Sequence, residues 1–142
     1  MKSLPAELRM VFLSIGLIFF FNMQGWGADW KGFAETDNAS FYYDADTVTR
    51  PSKGVIRVWE KRVYKPKAIN DMVEKHGATF WILHHSLILS EVHCAEKKRR
   101  LMSIDYYSKD GGFLSSRSIS ENDWTFMVPE SIGESIYKVL CK

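Results

Sequence analysis

Two cysteines, Cys94 and Cys141, constrain this chain more than any other feature, because they follow an N-terminal stretch with the make-up of an export signal. A thiol pair that leaves the cytoplasm oxidises, so the two read as one disulfide clamping the final residues back onto the body. The loop it closes spans about 48 residues, which in the chain-entropy picture stabilises the fold by roughly 4 kcal/mol. That is a large share of what a small domain has.

The export reading rests on residues 1–28. Lys2 and Arg9 supply positive charge, residues 10–21 form a run that is almost wholly apolar, and Gly25, Gly27 and Ala28 supply small residues after it. Basic start, short apolar segment and small residues make the three-part pattern of a signal peptide, with cleavage expected after Gly27 or Ala28. The alternative is an uncleaved anchor, but a hydrocarbon span takes roughly twenty apolar residues and this run is shorter. No cysteine stands near the cleavage point, which excludes a lipid-modified N-terminus of the lipoprotein kind. The mature chain, residues 29–142, is expected to carry no membrane span.

About 114 residues remain, the size of one domain. Aromatic residues make up 14% of the sequence, enough for a real core, and the net charge of +2 offers no strong global attraction to nucleic acid. No repeat, low-complexity tract or linker divides the chain.

Period-2 patterning dominates the mature part. Residues 30–35 and 41–43 read as short strands, with turns at 36–39 and 44–47 and a break at 50–54. Over 55–64, Val55, Arg57, Trp59, Lys61 and Val63 share one side, and Ile56, Val58, Glu60, Arg62 and Tyr64 the other. Both sides are mixed, as in a curved sheet partly covered on each. Pro66 ends that strand, and residues 68–76 fit a short helix stopped by Gly77. Residues 80–94 and 99–107 read as longer strands. Asp110, Gly111 and Gly112 mark a hairpin turn into a strand over 113–119.

The end of the chain changes period. Ser131 and Glu134 stand at capping-box spacing, and Ile132, Ile136, Val139 and Leu140 recur as a helical stripe. Lys138 and Lys142 favour the negative end of the helix dipole. A helix of about ten residues is marginal alone, so its stripe must dock on the sheet. The expected architecture is α+β: an antiparallel meander of five or six strands, with one C-terminal helix packed on one face and tied by Cys94–Cys141.

Three segments carry a family resemblance. Tyr42-Tyr43-Asp44, Val48, Arg50 and Val55-Ile56-Arg57-Val58-Trp59 look like the opening of the surface-adhesin protein E-like domain. Ser90-Glu91-Val92-His93-Cys94 and the basic residues through Arg100-Leu101 resemble its central cysteine strand. Trp124, Pro129 through Glu134, and Val139-Leu140-Cys141 resemble its close. The resemblance covers the mature chain and lapses only over residues 64–79. It implies an antiparallel sheet with a disulfide-tied helix, in exported bacterial envelope proteins whose founding members are adhesins for host matrix and serum proteins.

The chemistry-bearing residues are few. His84, His85 and His93, with Glu91, raise the question of a metal, but adjacent strand residues point to opposite faces. His85 lies roughly 20 Å along the strand from Glu91 and His93 at ~3.3 Å per residue, so no metal site is expected. Asp44, Asp46, Asp105 and Asp110 have turn spacing rather than calcium-loop spacing. No nucleophile elbow, phosphate loop or Cys–His pattern is present, so neither enzyme activity nor a cofactor is expected.

Lys97, Lys98, Arg99 and Arg100 form the sharpest surface feature, suited to an acidic polysaccharide, anionic headgroups or an acidic protein patch. The same charges also serve a solvated turn that discourages edge-to-edge pairing. Trp30, Trp59, Trp81, Tyr106, Tyr107 and Trp124 are expected mostly in the core. These features point to an exported, non-enzymatic binding module for a protein or acidic polysaccharide at the cell surface or in the periplasm. The alternative is a periplasmic accessory or assembly protein of the cell envelope, acting by strand addition at a sheet edge. An edge strand also leaves a homodimer open.

Overall fold

The β-branched and aromatic stretches pair into one antiparallel sheet in a computed structural model, which describes residues 27–119 and 123–142. The stretch assigned to an export signal lies outside the described residues except for Gly27 and Ala28. The strands are β1 (Trp30–Glu35), β2 (Ala39–Asp44), β3 (Thr49–Ser52), β4 (Val55–Tyr64), β5 (Leu83–His93), β6 (Lys98–Ser108), β7 (Phe113–Ser118) and β8 (Thr125–Phe126). Helix α1 (Pro66–His76) and a 3-10 turn (Ala78–Ile82) join β4 to β5, and α2 (Ile132–Leu140) closes the chain.

The sheet order is β1-β2-β4-β5-β6-β7. The three long strands β4, β5 and β6 form its middle. Each outer flank is shared by two short strands: β2 and β3 lie along successive parts of β4, and β7 and β8 along successive parts of β6.

This split explains why eight strands are found where five or six were expected. The expected break at residues 50–54 is a hairpin: Ser52 pairs with Val55, and Gly54 turns the chain at a φ of 75° that favours glycine. Pro51 fits there because β3 is a flank strand, where a missing donor is tolerated. β8 has two residues, too few to show a period. The helix expected at 68–76 starts two residues earlier, with Pro66 in its first turn where a missing amide proton costs nothing.

Register decides what is covered. Ile56 pairs with Val92, Val58 with Ser90 and Glu60 with Ile88, so these share one face. Ile56, Val58, Ile88, Val92 and Ile104 are buried there, joined by Ile136 of α2 and Phe80 of the 3-10 turn. Each such side chain contributes about 1.5–3 kcal/mol on burial. The opposite face presents Arg57, Trp59, Lys61 and Val63 beside Glu91, Leu89, Leu87 and His85, most of them half-buried. Both α1 and α2 stand on the first face. Among the described residues the second carries no α-helix.

One-sided cover corrects the expectation that the large aromatics are core. Trp30, Trp59, Tyr106, Tyr107 and Trp124 are half-buried, and Trp81 is 60% exposed. The core is aliphatic apart from Phe41 and Phe80, and several of the other rings lie on the open face.

The terminal helix begins as its sequence requires. The Ser131 hydroxyl accepts the Glu134 amide at 3.2 Å. The Glu134 carboxylate reaches back one residue further than a standard box, accepting the Glu130 amide at 2.7 Å. A cap of this kind stabilises a helix by about 1 kcal/mol. At its other end Cys141 is bonded to Cys94, with Cα atoms 5.6 Å apart.

Candidate functional site

Cys94 opens the turn between β5 and β6, so the disulfide fixes the end of the sheet where the basic run begins. The turn closes at Lys97, a non-glycine residue with φ of 50°. Strand alternation then distributes the basic residues. Lys98 and Arg100 project on the open face, while Arg99 between them projects on the covered face.

Arg99 is consumed structurally. Its Nη2 lies 2.6 Å from both carboxylate oxygens of Glu60, which also accepts the Ser90 hydroxyl, and both partners of this ion pair are mostly buried. Arg100 joins Arg57 around the buried Glu91. Arg57 donates to one oxygen from Nε at 2.9 Å and Nη2 at 2.7 Å, and Arg100 donates to the other at the same two distances. Burial works to raise the Glu91 pKa, but the hydrogen bonds and charges of the two arginines outweigh it and hold it below the ordinary carboxylate value. Lys98 meets Glu96 at 3.3 Å on the surface. Structure therefore divides the four-residue basic run: Arg99 is paired with Glu60 on the covered face, Arg100 is bonded to Glu91, Lys98 is half-buried and Lys97 is exposed.

A contributor that the sequence reading kept out of the basic cluster is β8. Pairing with the start of β6 sets Phe126 beside Lys98, and Met127 donates to the Lys97 carbonyl at 3.0 Å. The Lys98 ammonium stands 4.8 Å from the Phe126 ring centre, and the Arg100 guanidinium 4.6 Å from that of Trp124. His93 meets Trp124 edge to face at 6.0 Å. Phe126 is 73% exposed.

Behind these rings lies a polar cavity of about 360 Å³ lined by Lys53, Glu91, His93, Lys98, Arg100 and Trp124. Rings backed by cations form a ledge whose chemistry suits the stacking of a sugar or planar group with an anionic substituent at lysine. Lys53, Lys98 and Arg100, with Arg57 behind Glu91, outnumber Glu91 and Glu96 around it, so the ledge is positive although the chain is nearly neutral.

The histidines behave differently from expectation. His84 and His85 bring their Nδ1 atoms to 2.9 Å although they are adjacent in a strand. A register shift between Leu83 and His85 re-aims the side chains, as bulges do. Burial foremost, then the charges of Lys61 and His84, lowers the His85 pKa below its ordinary 6.5. Among the described residues no three His, Cys, Asp or Glu side chains group as a metal site.

Comparison with known proteins bears on what this framework is. The model of the family described as Surface-adhesin protein E matches residues 30–142, from the first residue of β1 past the end of α2. The chain belongs to the surface-adhesin protein E family. No curated protein and no solved structure gives a significant match. Membership supports an adhesin-like protein that is exported or at the cell surface. Among the described residues no helix is long and apolar enough to cross a membrane.

Proposed function

We propose that this chain is an exported, non-enzymatic binding module whose contact surface is the ledge of Trp124, Phe126, Lys98 and Lys53, and that its ligand is an acidic polysaccharide. Residues 1–28 act as the export signal, removed after Gly27 or Ala28, and residues 29–142 form the working domain. The observation that carries this reading is the placement of Lys98 over Phe126 and Arg100 over Trp124, beside a positive cavity on a face that, among the described residues, no α-helix covers. Aromatic planes give stacking area, and the cations select an anionic chain over a neutral one.

Affinity chromatography on a sulfated polysaccharide matrix tests it. The double variant Lys53→Glu, Lys98→Glu should elute at distinctly lower salt than the unaltered protein while keeping its thermal midpoint. Equal elution would remove the ledge from the account. Arg99 is left alone in this design, because reversing it would unfold the protein rather than probe binding.

The free outer edge of β7 favours a second reading, an envelope accessory protein acting by strand addition. Phe113 is 61% exposed on that strand. Fractionation with surface protease treatment separates the two, since a strictly periplasmic pool argues against adhesion.

A further inference from the structure

The segment over which the family resemblance lapses builds the other notable feature of the fold. Helix α1 is pinned at both ends and loosely packed between them. At its start the Lys65 amide donates to the Asn38 carbonyl at 2.8 Å, and the Lys65 ammonium meets Glu35 at 2.8 Å. Beyond its end, Phe80 is buried with its ring 5.6 Å from that of Tyr106. In between, Ala68 alone is buried, and the apolar Ile69, Met72 and Val73 remain half-exposed. A helix whose apolar side faces the sheet without closing on it leaves space beneath.

That space is a cavity of about 480 Å³, within the range of small-molecule sites. Phe41, Arg62 and Tyr64 line it from the sheet, Ala68 and Met72 from α1, and Ile132 from the first turn of α2. Asp71 and Lys75 on its rim are exposed and of opposite sign, so they cancel. Arg62 is the charge left over. Its guanidinium lies 5.2 Å from the Phe41 ring centre, its Nε is buried without a hydrogen-bond partner, and among the described residues no carboxylate pairs with it. A half-buried cation lacking a counter-ion is costly unless something supplies one. Met72 also lines a second cavity of about 250 Å³ with Phe80, Tyr106 and Arg117. Burial chiefly raises the Tyr106 pKa, against the opposing charges of Arg62 and Arg117, which places both guanidinium groups near this ring.

We propose that the hollow beneath α1 binds a single-tailed amphiphile bearing a carboxylate, with Arg62 receiving the head and Phe41, Ala68, Met72 and Ile132 enclosing the tail. This site lies on the opposite side of the sheet from the aromatic ledge, so either can fail without the other.

Isothermal titration of the exported protein with laurate, and separately with dodecyltrimethylammonium, each below its micelle concentration, tests the proposal. Laurate should bind saturably, and the cation with the same tail should bind at least tenfold more weakly. Arg62→Gln should weaken laurate at least tenfold, and Met72→Trp, which fills the hollow, should weaken it with the charge intact. Absence of saturable laurate binding, or equal affinity for the two amphiphiles, overturns the proposal without reference to any variant. Undiminished binding by folded Arg62→Gln overturns it as well.

Discussion

Arg99 grips both carboxylate oxygens of Glu60 at 2.6 Å on the covered face of the sheet, while its chain neighbours Lys98 and Arg100 reach the open face. One run of four cations is thus cut by strand alternation into a structural element and a surface element. Mutations in the run should separate into two classes accordingly.

Arg99→Ala leaves the Glu60 carboxylate buried with the Ser90 hydroxyl as its sole remaining side-chain donor. Breaking one side of a buried pair costs about 3–5 kcal/mol. Urea denaturation should show a loss of this size for Arg99→Ala, and much of it should return in the double variant Arg99→Met, Glu60→Leu, which removes both charges together. Lys98→Ala should change stability by less than about 1 kcal/mol, as exposed pairs do.

His85 and Glu91 are two of the groups that make the stability depend on acid. Glu35, Asp110 and Glu134, each also held below its ordinary value, share the lower range with Glu91. Burial, with Lys61 and His84, depresses the folded pKa of His85 below 6.5. Its contribution is therefore complete above that value and lost as pH falls through the folded one. Glu91 is held below 4.5 by Arg57 and Arg100 against the effect of burial, so its contribution is complete above 4.5 and lost lower down. Denaturation across a pH series should show both losses. His85→Gln should flatten the upper one alone. Glu91→Gln should shrink the lower one without removing it, while starting from reduced stability at neutral pH, because Arg57 and Arg100 lose their shared carboxylate.

The Cys94–Cys141 bond joins residues 47 apart and holds the C-terminal end of α2 against the β5–β6 turn. Reduction should destabilise the domain by roughly 4 kcal/mol. Chemical denaturation with and without reductant measures this, and circular dichroism should report loss of helix before loss of sheet. Unchanged stability on reduction would mean that α2 is held by the packing of Ile136 alone.

The main elements were legible in the sequence because their periods are long enough to read. β4 over ten residues, the Asp110-Gly111-Gly112 turn and the Ser131–Glu134 cap all lie where the pattern placed them. Short pieces escaped: β3 was hidden by Pro51, and β8 has two residues. Mixed polarity on β4 suggested two half-covered faces, whereas Glu60 and Arg62 belong to the covered face, the first through a partner 39 residues away. No local spacing reveals such a partner. The basic run was visible for the same local reason that its division was not, since the carboxylates and rings that sort it come from β4, β5 and β8. The hollow beneath α1 depends on how far a helix stands off a sheet, which composition does not encode.

In the function proposed above, the aromatic and cationic ledge, rather than the helical side, meets an acidic polysaccharide. Nitrogen-15 NMR titration of the exported protein with a sulfated oligosaccharide tests it most directly. Shifts should concentrate at Lys53, Lys98, Arg100, Trp124 and Phe126, with the Trp124 indole among the largest, and Trp124→Ala should abolish them. Shifts confined to α1 and α2, or no saturable shift at the ledge, would contradict it.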